Sequence, residues 1–243
     1  MAYDPNFRPD YRYGGRMSAP GRADEIDAGL RAYMVRVYSY MAGGLAVTGI
    51  VAYAAASSGF YQSIAGTPLI WLVMLAPLGF VLVLSFGINR MSPEVAQALF
   101  WAYAAVMGLS LAGIFLVFTG TSIARVFFIS AATFAAMTLY GYTTGTDLSR
   151  FGSFLMMGLI GIIIASLVNI FIGSDALQFA ISVIGVIVFV GLTAYDTQRI
   201  KEIYLSRGAG TGKEAVLGAL ALYLDFINLF MLLLQLTGQR RQE

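Results

Sequence analysis

The chain has 243 residues, of which 58% are hydrophobic and 12% charged, and its formal net charge is +2. A soluble domain carries about 25% charged residues, so lipid rather than water must cover most of this surface, and so small a positive charge excludes nucleic acid as the partner. With no Cys and no His, disulfides, thiolate metal sites, Ser-His and Cys-His catalysis and His-based pH sensing are excluded too.

Residues 1–27 are polar and rich in Tyr, Arg, Gly and Pro. They contain no apolar core of a cleavable signal peptide, and the composition predicts a disordered cytoplasmic tail. Its arginines (Arg8, Arg12, Arg16) help set orientation and are placed to touch anionic headgroups. From residue 28 to 238, apolar runs alternate with short polar breaks. The spacing predicts seven membrane spans at 33–57, 69–89, 95–118, 123–143, 152–172, 176–198 and 215–237. Each is close to the roughly 20 residues that cross the hydrocarbon core. Breakers separate them, including Ser57-Ser58-Gly59, Ser92-Pro93, Thr119-Gly120-Thr121 and Gly173-Ser174-Asp175. The third and fourth spans have so short a connection that they are expected to form an antiparallel hairpin. Residues 239–243 are a short carboxyl-terminal tail. The fold class is therefore all-α, a polytopic bundle of seven transmembrane helices.

Lys and Arg set the orientation. With the amino terminus inside, most of the cations fall on the inner side, leaving only Arg125, Arg240 and Arg241 outside. Seven spans then put the carboxyl terminus outside, although the Arg240-Arg241 pair opposes this and leaves room for a last segment that does not cross. Small residues within the spans, such as Gly43-Gly44, Gly108 with Ala112, Gly158 with Gly161 and Gly218 with Ala219, are read as helix-packing contacts. Trp71, Trp101, Tyr103, Tyr140 and Tyr142 are read as interface belt and core.

Ionisable side chains inside a span are costly, and two acids stand out. Asp225 lies near the middle of the last span, with Asn228 three residues on and so on the same face. Asp196 lies toward the inner end of the sixth, in Thr193-Ala194-Tyr195-Asp196-Thr197-Gln198-Arg199. These spans are consecutive and antiparallel. If the sixth helix continues past Arg199, the two carboxylates meet at similar depth. Two carboxylates side by side in low dielectric cannot both ionise cheaply, so the pair is a proton-sensitive group built without His. It is also an oxygen-rich site suited to a hard cation such as calcium.

Plainer readings compete. Asp196 and Arg199 have the spacing of a helix-end ion pair. Arg90, closing the second span, is either a snorkelling anchor or a counter-ion that reaches Asp196. Arg125 reads as a headgroup anchor, and Asp147 as a cap for the following helix.

Three segments carry a resemblance. They are Thr144-Gly145-Thr146-Asp147-Leu148-Ser149-Arg150 running on to Asn169, Ala194-Tyr195-Asp196-Thr197-Gln198-Arg199-Ile200, and Ala221-Leu222-Tyr223-Leu224-Asp225-Phe226-Ile227-Asn228. Together with Tyr33-Met34-Val35-Arg36-Val37-Tyr38 they resemble the Bax inhibitor-1 family (transmembrane Bax inhibitor motif proteins), of bacterial type, over roughly residues 30–238. The resemblance implies a seven-helix bundle around a central last helix. It implies a pH-sensitive calcium leak governed by an aspartate pair matching Asp196 and Asp225, with Arg90 the positional match to an arginine that pairs with the sixth-span acid. Tyr195, Arg199 and Asn228 are supporting residues. In eukaryotes the family is tied to suppression of cell death, and some bacterial relatives associate with a membrane-bound ATP-dependent protease.

The expected function is thus a cation leak with Asp196 and Asp225 as pH sensor, ion pathway and transient calcium site. It needs no cofactor beyond calcium as permeant ion, and it sits in the inner membrane with lipid as the main partner. The rival is a non-conducting regulator that binds a membrane protease or another membrane protein. Intramembrane aspartyl proteolysis is disfavoured, because no Gly-x-Gly precedes Asp225. No enzymatic activity is expected.

Overall fold

The computed structural model describes residues 20–208 and 212–241, with the side chains of 20–26 and 207 left aside. The helices are α1 (Pro20–Ser57), α2 (Phe60–Ala65), α3 (Leu69–Gly87), α4 (Pro93–Leu111), α5 (Ile114–Val117), α6 (Gly120–Thr143), α7 (Ser149–Ile172), α8 (Asp175–Arg207) and α9 (Lys213–Thr237). A 3-10 turn, Ile88–Arg90, continues α3. Seven stretches are long and apolar enough to cross a membrane, with α4 and α5 together making the third. The chain is a polytopic all-α membrane protein.

Local chemistry sets several helix ends where the breakers fall. The hydroxyl of Ser92 accepts from the Val95 N–H ahead of Pro93, Thr119 accepts from Ser122, and Ser174 accepts from Leu177. Each satisfies a backbone donor that the first helical turn leaves unpaired. Gly173, at φ 66°, closes α7 in the left-handed conformation that glycine adopts without steric cost.

Several boundaries differ from expectation. α1 starts at Pro20, inside the segment assigned to the tail, whose residues 1–19 lie outside the described residues. The sixth span is expected at 176–198 with a helix that could continue past Arg199, and α8 does run on to Arg207. Nothing in Arg199–Arg207 breaks a helix, and Ile200 there remains buried. The third span breaks at Ala112-Gly113, where Gly113 faces the Tyr61 hydroxyl of α2.

α9 is the hub, packing against α8, α1, α6 and α4. Lipid supplies no hydrophobic force between helices, so close fit must hold them. Glycine supplies it where Gly108 of α4 meets the backbone of Thr48 and Gly218 of α9 meets Ile200. α3 lies outside α4, and α7 lies outside α8. The third and fourth spans are antiparallel but do not form the packed hairpin expected from their short connection. α4 leans on α1 and α3, and α6 on α8 and α9. The tail after α9 turns back onto that connection. Arg241 N–H donates to Val117 O (2.9 Å), Thr119 N–H donates to Gln239 O (3.0 Å), and Gln239 N–H donates to Ser122 Oγ (2.9 Å). α9 therefore runs the full height of the bundle, and its end lies with the α5–α6 connection at the end opposite Arg90 and Arg150.

Candidate functional site: an aspartate pair in the bundle core

Asp225 sits midway along α9, about 18 Å from either helix end by rise per residue. It is 4% exposed. Asp196 lies about 16 Å from the Arg207 end of α8. Because the two helices are antiparallel and pack along their length, these depths coincide, and the two carboxyl groups are in hydrogen-bonding contact. The extra turns of α8 past Arg199 produce this match.

Two ionised carboxylates are acceptors only. A hydrogen bond between them therefore needs a proton on one carboxyl or the other. The buried Oδ2 of Asp225 accepts from no protein N–H or O–H donor, as expected where the neighbouring group is another carboxyl. Among the described residues, no group of three metal-ligating side chains forms. Calcium takes six to eight oxygens, so an ion here would keep much of its water.

The other sequence-predicted residues fall into place around the pair. Arg199, exposed at the next turn of α8, is the cation whose charge acts on Asp196. Arg90 is exposed at the end of the 3-10 turn on α3, which packs on α4 rather than α8. It forms no ion pair among the described residues. The Asn228 amide donates to the Leu224 carbonyl of its own helix (2.8 Å) rather than to Asp225. Tyr195 turns its ring outward onto Gly152 of α7, where a methyl group would meet it at 2.6 Å.

Sequence reasoning missed two features. Gln198 is a buried clamp two residues after Asp196. Its carbonyl accepts from Leu148 N–H (2.8 Å), and its amide donates to Thr146 O (2.9 Å). Lys201 donates to Tyr142 O (2.9 Å) and lies over the Tyr142 ring at 5.1 Å. Together they staple the end of α6 and the α6–α7 loop to the helix that carries Asp196. Only a polar Gln facing a Thr-Asp-Leu loop hinted at this. Asp147 in that loop accepts from Ser149 N–H (2.8 Å), as a cap would. That backbone bond, with the Ser149 hydroxyl, holds its carboxyl below the usual carboxylate range.

On the other side of the pair, toward the carboxyl end of α9, an apolar layer of Ile181, Val188, Phe189, Leu192, Leu229 and Leu232 fills the space between α8 and α9. Beyond it, Gln178 bridges three helices, accepting from Asn169 of α7 (3.3 Å) and donating to Gln235 of α9 (2.7 Å). The pair is sealed from that face in this conformation.

A seven-span bundle whose central helix carries a buried acid in contact with a second acid defines a polytopic membrane protein with a polar core site. The sequence profile described as "Inhibitor of apoptosis-promoting Bax1" matches residues 30–242. The chain belongs to the Bax inhibitor-1 family. It is 49% identical over 229 residues to the protein named inner membrane protein YbhL of Escherichia coli, covering 90% of this chain and 98% of that one. It is 47% identical over 232 residues to the Rickettsia prowazekii protein RP147, covering 94% and 98%. A Caulobacter vibrioides protein is 46% identical over 248 residues, covering 96% and 99%.

Proposed function

We propose that this protein is a pH-sensitive leak channel for calcium and similar cations, with Asp196 and Asp225 as gate and ion site. The contact between the two carboxyl groups in the middle of the bundle carries this reading. With one proton shared, the pair is compact and holds α8 against α9. Losing that proton leaves two adjacent negative charges that repel and attract a divalent cation, and protonating both removes the attraction. Protons therefore bias a two-state element. Arg199 is the resident counter-charge on this arrangement, and Arg90 takes that role in a rearranged state. The apolar layer of Phe189, Leu229 and Leu232 is the barrier that must part for conduction.

The protein works in the inner membrane with its amino terminus in the cytoplasm. The name of the Escherichia coli relative and the distribution of cations support this placement.

The test is calcium flux into liposomes containing purified protein, from acidic to neutral pH. Asp225→Asn, which keeps size and hydrogen bonding but cannot ionise, is expected to change the flux and flatten its pH response. Unchanged flux across that range overturns the channel. The sealed face favours a second reading, a non-conducting regulator of another membrane protein such as a protease. No flux in any variant, with a co-purifying partner released on deleting residues 1–27, would establish it.

A further inference from the structure

α1 and α6 both flank α9, yet they do not close on each other. A slot open to the bilayer is left between them, with two cavities along it. The one nearer the Arg31 end has a volume of about 460 Å³ and is lined by Arg31, Met34 and Tyr38 of α1 with Phe134, Thr138 and Tyr142 of α6. The other, about 270 Å³, is bounded by Leu45, Thr48 and Gly49 of α1 and Ile123 and Phe127 of α6, with Phe226 of α9 as its floor. Apolar walls of this kind admit acyl chain and exclude water.

Three observations give the slot a direction. Two cations stand by it, Arg31 in its lining and Lys201 of α8 against a lining ring. Arg31 is exposed and forms no ion pair among the described residues, and Lys201 is held over the Tyr142 ring that lines the slot. The acid nearest in sequence, Asp27, is exposed one turn before Arg31. Deeper in, the buried hydroxyls of Tyr38 and Thr138 lie next to each other and to Thr197 without a hydrogen bond of full geometry, a polar step in the wall of the slot. Beyond them the lining is apolar. A glycerophospholipid presents the same sequence of groups, with an anionic phosphate, then ester carbonyl oxygens, then hydrocarbon.

We propose that the α1–α6 slot binds one anionic phospholipid of the inner leaflet, with its phosphate on Arg31 and Lys201 and its ester oxygens on Tyr38 and Thr138. Basic pockets between membrane helices on the cytoplasmic side recognise anionic headgroups in this way. The site would join α1 to α6 across a gap that protein atoms leave unfilled. It does not depend on whether the bundle conducts.

Full-length protein in neutral detergent, titrated with phosphatidylglycerol or phosphatidylcholine and read by native mass spectrometry, tests this. One phosphatidylglycerol should bind in preference to phosphatidylcholine. Each of Arg31→Gln and Lys201→Gln should weaken it about fivefold, and the pair about twenty-fivefold, from the typical contribution of one cation near a headgroup. Ala135→Trp, which fills the slot without changing charge, should abolish it. Arg125→Gln at the far end of α6 should leave it intact. Equal binding of both lipids, or equal weakening by Arg125→Gln, overturns the proposal. So does a mass showing a second polypeptide or a second copy in place of lipid, with lipid binding insensitive to Ala135→Trp.

Discussion

Gly141 of α6 stands against the backbone carbonyl of Ala194 on α8, so closely that a methyl group at 141 has no room. The contact lies two residues before Asp196, and it fixes the height and rotation at which α8 presents that acid to α9. Gly141→Ala is expected to destabilise the protein by about 1–3 kcal/mol, the usual cost of overpacking, and to disturb the pair. Gly161, on the face of α7 where nothing lies near, is the control, and Gly161→Ala should be neutral or slightly stabilising. Thermal unfolding in detergent compares the two.

Leu232 packs on Gly185, where an added methyl group would meet it at 2.7 Å, and belongs to the apolar seal. Leu232→Ala should cost about 2–5 kcal/mol and, if the seal is the barrier, raise basal calcium flux in liposomes. A variant that folds, is measurably less stable and leaks no more than the parent would move the barrier elsewhere.

Gln198 carries two hydrogen bonds to the α6–α7 loop. Gln198→Ala leaves the Leu148 N–H buried and unpaired, at about 1–3 kcal/mol. Amide hydrogen exchange at Leu148 should accelerate, while exchange at the α9 core stays slow.

Thr48 joins α1 to α4 and α9 at once. Its hydroxyl donates to Ala104 O (2.8 Å), so at 2.6 Å it must accept from the Tyr223 hydroxyl, having only one proton to give. Thr48→Val keeps the shape but strands Tyr223, and a loss of about 1–3 kcal/mol is expected. Tyr223→Phe with Thr48→Val should recover part of it, which a double-mutant cycle measures.

Asp147 is a carboxylate held below its usual range. A group with a depressed folded-state value stabilises fully above its unfolded value of about 3.9. That contribution is lost as pH falls through the lower folded value. Asp147→Asn should therefore flatten the acid limb of the unfolding midpoint, and leave the midpoint's pH slope above about pH 5 as it is.

The positions of the spans were legible because membrane crossing demands long apolar runs and helix ends demand caps. Ser92, Thr119, Ser174 and Gly173 mark boundaries in sequence and hold them in space. Asp225 was legible for the converse reason, as an acid in the middle of an otherwise apolar run. Gln198 was not, since a Gln near a helix end has many uses and only the loop above it selects one. The failed hairpin between the third and fourth spans has the same origin. Loop length limits how far apart two helices can start, but packing decides which surfaces they choose.

A seven-span membrane bundle and two misplaced acids can be read from the chain alone, because burial cost and hydrogen-bond need act locally along it. Packing in three dimensions set how far α8 runs past Arg199, and so brought Asp196 level with Asp225. It also decided that Arg199 rather than Arg90 stands by Asp196, and that α1 and α6 part around a slot. Those outcomes depend on the fit of whole helix faces against α9, a property of surfaces that no short stretch of residues contains.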